Sequence, residues 1–267
     1  MNENTIIAML ATLGVEGFLQ NALMGVANAG IDGRIVHVAR PDNAADAIDP
    51  IVARMGAQIV PFESFCDTSS LATTSEYSDY GTEAFRSINW TKVRYLRWLL
   101  QQHRHVVYAD VDVAWLRDPL WYLQAVARRF PIAFQTEGVP RFPPVFCWGF
   151  MSIRSSPPAL RLFDELLAEH DSKPPGDDLV DEQVACEALI DRDPEWLSEI
   201  YPLSETLFPN GLGYPALQSR PMPGVPMHGS PAPFVFHANW TIGLENKQAL
   251  MAATGTWLID CIERGSN

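Results

Sequence analysis

The chain has 267 residues, 47% of them hydrophobic, enough for one large α/β domain with its own core. Its formal charge of -13, from 32 acidic and 19 basic residues, argues against nucleic-acid binding, because such a surface repels phosphate backbones. A diphosphate substrate meets the same repulsion and needs a divalent cation or a local basic cluster.

In chain order, residues 5–13 form a short apolar run, as expected for a buried strand of a parallel sheet. Gly14 to Asn28 reads as a helix with Phe18, Leu19, Leu23 and Val26 on one side. Ile31 to Ala39 reads as a strand, 44–56 as a helix and 58–61 as a third strand. This alternation predicts a mostly parallel central sheet flanked by helices. Residues 66–82 read as a loop. Asn89 to Gln102 is a predicted helix capped by Asn89, with Trp90, Val93, Leu96 and Leu100 at helical spacing. His105 to Ala109 is a strand that runs into Asp110.

Beyond it, Asp118-Pro119 starts a helix from Leu120 to Arg128, and Ile132 to Gln135 is a strand. Val139 to Pro144 is a loop whose prolines forbid regular pairing. Trp148 to Ile153 reads as a strand, Pro158 to His170 and Asp181 to Ile190 as helices. Six prolines between Tyr214 and Pro233 predict a loop, with a lid as one possible role. Val235-Phe236 leads into His237, and a helix from Lys247 to about Glu263 closes the chain. No biased linker or internal repeat divides it.

Four cysteines, Cys66, Cys147, Cys186 and Cys261, form no C-x-x-C pair, so neither a zinc ribbon nor a redox motif is visible. No apolar run reaches the length of a membrane span. With Asn4 to Leu10 read as the first strand, no leader is visible either, and a cytoplasmic protein is expected.

The strongest chemical signal is Val106-Val107-Tyr108-Ala109-Asp110-Val111-Asp112-Val113. Two carboxylates flank one apolar residue at the carboxyl end of a buried strand, where open α/β sheets bind ligands. Two like charges there are costly unless a cation neutralises them. Mn²⁺ and Mg²⁺ take carboxylate oxygens and leave positions open for phosphate. His237, ending the apolar run Phe234-Val235-Phe236, is either a third ligand or a core histidine. Lys247 suits a phosphate oxygen as a point charge; the alternative is a surface lysine poorly placed near a helix start.

Tyr108 to Pro119 resembles the signature of glycosyltransferase family 77 and its nucleotide-diphospho-sugar transferase relatives. Trp148-Gly149-Phe150-Met151, Asp181-Glu182-Gln183, Phe208-Pro209-Asn210-Gly211 and His237-Ala238-Asn239-Trp240 with Gly243, Lys247 and Trp257 resemble further family segments in the family's order. The resemblance implies a GT-A fold, a nucleotide-sugar donor, usually a UDP-sugar, Mn²⁺ or Mg²⁺, and retention of configuration at the sugar. A glycan or other hydroxyl compound is then the acceptor.

Under that reading Asp110, Asp112 and His237 hold the metal. Thr12, Leu13, Lys92, Asp110, Gly243 and Lys247 bind the donor. Asp181 and Glu182 are candidate nucleophiles, with a helix cap and acidic first turn as the plain alternative, and Gln183 lines the sugar. Trp148 and Trp240 stack on sugar faces or pack in the core. Residues 1–112 form the nucleotide-binding half of a single domain and 113–267 the acceptor-binding half with the closing segment. Cys147 and Cys186 stand where the family pattern leads us to expect asparagine, which touches the choice of sugar more than the fold. Two other readings compete: a haloacid-dehalogenase-type phosphatase using the same strand-D-x-D with Asp177-Asp178, and a module that binds nucleotide or glycan without turnover.

Overall fold

A computed structural model describes residues 5–66, 77–173, 180–219 and 232–259. Strands β1 (Thr5–Leu10), β2 (Val36–Arg40), β3 (Gln58–Pro61) and β4 (His105–Ala109) pair in parallel in the order β3-β2-β1-β4. β6 (Ile132–Thr136), β7 (Phe146–Arg154) and β8 (Ile200–Pro202) complete a seven-stranded sheet in the order β4-β7-β6-β8. β7 runs against both β4 and β6, and β8 is parallel to β6, so β7 alone opposes the other strands of this sheet.

Successive residues of β1 point to opposite faces, as pleating requires. Ile6, Ala8 and Leu10 join one core cluster, and Ile7 and Met9 a second. The first cluster is covered by α3 (Glu83–Gln102), α5 (Pro157–Asp171) and α6 (Glu182–Arg192). The second lies under α1 (Glu16–Asn28), α2 (Ala45–Arg54) and α4 (Leu120–Ala127). Burial on both faces is why the strands read as unbroken apolar runs rather than alternating ones.

Several boundaries differ from expectation. β1 stops at Leu10, and β2 begins only at Val36, because Asp32 accepts from the Arg34 amide and winds 33–35 into a 3₁₀ turn. α3 starts at Glu83, capped by Thr82, whose Oγ1 accepts from the Phe85 amide at 3.1 Å. Asn89 therefore lies within the helix. The short strands β5 (Val113–Trp115) and β8 carried too few residues to show a period.

α7 (Gly213–Ser219) occupies the start of the expected proline loop. Pro215 sits in its first turn, where a missing amide hydrogen costs nothing. Asn210 Oδ1 accepts from the amides of Leu212 and Gly213 ahead of it. The remainder of that loop, 220–231, and with it the expected lid, lies outside the described residues. α8 (Leu244–Ala253) begins before Lys247 and ends at Ala253, shortly before Gly255 with φ +71°; positions 260–263 of the expected helix lie outside the described residues. The chain then turns inward so that Trp257 packs edge-on against Phe18 at 5.1 Å.

Candidate active site

β4 delivers Asp110 to the carboxyl edge of the sheet, where the Asp110 amide donates to Gly149 O of β7 at 2.8 Å. A tight turn follows, closed by Val113 N to Asp110 O at 3.1 Å. The chain leaves it as β5, which pairs antiparallel with β9 (Val235–His237) in a separate two-stranded sheet. The register sets Val113 opposite His237, and the Ala238 amide donates to Asp112 O at 3.1 Å. That pairing brings the histidine to the acidic pair.

Asp110, Asp112 and His237 each offer one ligand atom, all within 4.8 Å of one another. His237 Nε2 lies 3.3 Å from Asp112 Oδ1 and 4.0 Å from Asp110 Oδ2. Ligand atoms that share one small divalent ion stand about 3 Å apart, so small movements would let these three residues hold such an ion. The mixture of hard carboxylates and one imidazole fits such an ion. The backbone also leaves room: a Cβ at Gly149 would overlap His237 Cε1 and stand 2.8 Å from Asp110 Oδ2.

The side chains behind these ligands orient them. Gln135 Nε2 donates to Phe208 O at 2.9 Å and Pro209 O at 3.0 Å, so its amide cannot be turned round. Its Oε1 must then face His237 Nδ1, 2.9 Å away, and accept from an Nδ1–H. Nε2 is thereby left to face the aspartates. Tyr108 OH donates to Asp110 Oδ1 at 2.7 Å and leaves Oδ2 for the cleft. Cys147 Sγ, 3.5 Å from His237 Nδ1 and 3.6 Å from Asn239 Nδ2, closes the rear; burial pushes its thiol pKa up.

Charge at the site is concentrated and mostly dry. Asp112 is only 6% exposed and takes Lys247 Nζ on Oδ2 at 2.6 Å. Burial would raise the Asp112 pKa, but Lys247 and His237 beside it hold it well below the usual carboxylate range. Burial would strip His237 of its proton; the facing Asp112 reverses this and raises its pKa well above the ordinary value.

Lys92 projects from α3 into the same cleft, 5.6 Å from the Tyr108 ring centre. Its Nζ contacts Glu182 Oε1 at 2.8 Å, and both side chains are almost fully buried. Burial pushes Glu182 up to about 8, with Lys92 only partly opposing it. Burial would discharge Lys92, but Glu182 and Asp110 keep it protonated. Asp181 caps α6 through the Gln183 amide and accepts from Asn89 Nδ2 at 3.2 Å. The helix-cap reading of Asp181 therefore describes its contacts.

The cleft wall contains Thr12, Tyr77, Phe85, Asn89, Lys92, Tyr108, Asp110, Asp112, Leu244 and Lys247. Leu13 and Gly243 each adjoin a wall residue, and Leu13 O accepts from Tyr77 N at 2.7 Å. Trp148 is 1% exposed and packs between Phe134 and Phe163 in the core. Trp240 is 52% exposed, with φ 59°, a backbone conformation uncommon for a bulky residue. Asp177 and Asp178 lie outside the described residues. Gln135, Gly149, Tyr77 and Asn89 were given no role in the site from sequence; each acquires its place through cross-strand or long-range contacts.

Similarity to known proteins agrees with this arrangement. The family model described as nucleotide-diphospho-sugar transferase matches residues 55–251. No curated protein matches the sequence. Among solved structures, glycosyltransferase GlyE of Streptococcus pneumoniae TIGR4 aligns over 99% of this chain with TM-score 0.55 and 11% identity; the chain spans 64% of its length. Galactosyltransferase LgtC, solved with donor and acceptor sugar analogues, aligns over 94% of this chain and 95% of its own, with TM-score 0.56 and 12% identity. Mouse xyloside xylosyltransferase 1 aligns over 88% of this chain and 98% of its own, with TM-score 0.56 and 11% identity. At these identities the likeness speaks for the fold, which is of the GT-A type. The match over 55–251 goes further: the chain belongs to the nucleotide-diphospho-sugar transferase family.

Proposed function

We propose that this protein is a metal-dependent, retaining glycosyltransferase that takes its sugar from a UDP-sugar and passes it to a hydroxyl of a glycan or glycoconjugate. The observation that carries the reading is the trio Asp110, Asp112 and His237, with three ligand atoms within 4.8 Å at the carboxyl edge of the central sheet. Mn²⁺ or Mg²⁺ held there would supply the charge that an acidic protein lacks for a diphosphate.

Thr12 and Leu13, at the end of β1, would receive the nucleoside. Lys247 and the start of α8 at Gly243 would meet the diphosphate, where a lysine and unpaired helix amides both favour anions. Lys92, beneath the sugar position, would complete the donor contacts. Residues 1–112 would then form the donor half of one catalytic domain and 113–267 the acceptor half.

Transfer would form a bond from the acceptor oxygen to the anomeric carbon and break the bond from that carbon to the β-phosphate. Front-face attack suits these surroundings better than a protein nucleophile: Glu182 is held by Lys92 and Asp181 is engaged as a helix cap. The departing phosphate oxygen would take the acceptor's proton, and Lys247 would stabilise its charge. Asp181 and Glu182 would act by positioning α6, with Gln183 against the sugar. Trp240 would offer its exposed ring to the acceptor, and Trp148 would support the sugar pocket from the core.

The test is hydrolysis or transfer from a panel of UDP-sugars with Mn²⁺, followed by NMR of the product anomer. Turnover that disappears in Asp112→Ala and gives the donor's own anomeric configuration supports the reading. Turnover indifferent to EDTA removes the metal, and an inverted product removes retention.

A further inference from the structure

Both oxygens of the Asp112 carboxylate already face nitrogens of the protein's own side chains. Oδ1 faces His237 Nε2 at 3.3 Å, and Oδ2 accepts from Lys247 Nζ at 2.6 Å. Asp110 is different: Tyr108 holds Oδ1, and the side chain remains 36% exposed toward the cleft. The acidic pair is thus half neutralised by a lysine, and that lysine lines the donor cleft on a flexible four-carbon stem. It also springs from the first turns of α8, whose N-terminus has no side-chain cap. A phosphate bound to those amides would lie beside Lys247.

We propose that Lys247 is an exchangeable counter-ion. It pairs with Asp112 while the donor is absent, and moves to the diphosphate when metal and nucleotide arrive together. The inference rests on the metal-dependent reading above and adds a thermodynamic coupling to it. A metal arriving alone at Oδ1 draws on the single negative charge that holds Lys247 at Oδ2, and leaves the ammonium no second anion. A metal arriving with UDP offers one. Metal and nucleotide then strengthen each other's binding, and by linkage the factor is the same in both directions.

Mn²⁺ binding to the full chain, followed by the EPR signal of free Mn²⁺ with and without UDP, tests this without any turnover. For the wild type we expect UDP to tighten Mn²⁺ by at least about fivefold, the lower end of ordinary coupling. Lys247→Met should bind Mn²⁺ alone more tightly than the wild type, yet bind it less tightly when UDP is present. Lys247→Arg, which keeps a cation on the stem, should restore the wild-type pattern. If Lys247→Met does not fold, Lys247→Gln carries the same expectation, because its amide donates to Asp112 without charge.

A change of the same sign with and without UDP would mean that Lys247 merely repels the ion, and would overturn the exchange. No change in either condition would overturn it too. A wild-type protein that binds Mn²⁺ in neither condition would instead remove the metal-dependent reading, and this inference with it.

Discussion

Gln135 Oε1 lies 2.9 Å from His237 Nδ1 and, with its own amide nitrogen committed to two backbone carbonyls, must accept a proton there. The bond determines which edge of the imidazole faces Asp110 and Asp112. Partners of this kind typically contribute about 10–100-fold to metal affinity. Gln135→Leu is therefore expected to weaken Mn²⁺ binding by about that factor with little change in UDP affinity in EDTA. Calorimetric titration of both ligands checks it.

A metal at His237 would compete with a proton. With Asp112 facing it, the imidazole stays protonated well above its ordinary 6.5, so a metal must displace that proton. Apparent Mn²⁺ affinity should rise by about tenfold per pH unit above neutrality, until the raised His237 pKa is passed. Titrations in buffers of different ionisation enthalpy should report one proton released per metal bound. For stability the sign is opposite: the His237–Asp112 contact contributes below pH 6.5 and is lost as pH rises through the raised value.

Gly149 makes room for the site. A Cβ there would overlap His237 and press on Asp110 Oδ2. Gly149→Ala is expected to lower stability by about 1–3 kcal/mol, the usual cost of overpacking, and to abolish Mn²⁺-dependent UDP binding. A thermal melt in EDTA separates the two effects.

Lys92 and Glu182 form a buried hydrogen-bonded pair, and removing Lys92 leaves the Glu182 carboxyl buried without its partner. Lys92→Met should cost about 1–3 kcal/mol in denaturant unfolding, the usual cost of a buried polar group left without its partner. The double variant Lys92→Met with Glu182→Leu should recover most of that stability without recovering UDP-sugar turnover. Recovery of both would deny Lys92 any role in the cleft.

The acidic pair was legible because the signal is local: an apolar strand runs directly into two carboxylates. The parallel half of the sheet was legible for the same reason, since strands buried on both faces read as apolar runs. His237 was identifiable by type but not by place. A three-residue strand, β9, seats it opposite Val113, and pairing at that sequence distance leaves no periodic trace. Gln135 took its place through the register of β6 and β7, and Gly149 through its contact with Asp110 at the end of β4. The Lys92–Glu182 pair joins two helices whose approach depends on the whole core, and the start of α3 was misplaced because Asn89 looked like a cap but instead holds Asp181.

The most direct measurement is an anomalous difference map from a crystal grown with Mn²⁺ and UDP. The account predicts one Mn²⁺ peak bonded to Asp110 Oδ2, Asp112 Oδ1 and His237 Nε2, with the diphosphate completing its coordination. UDP seated in the cleft with no such peak, or a peak bonded to none of the three, would contradict it.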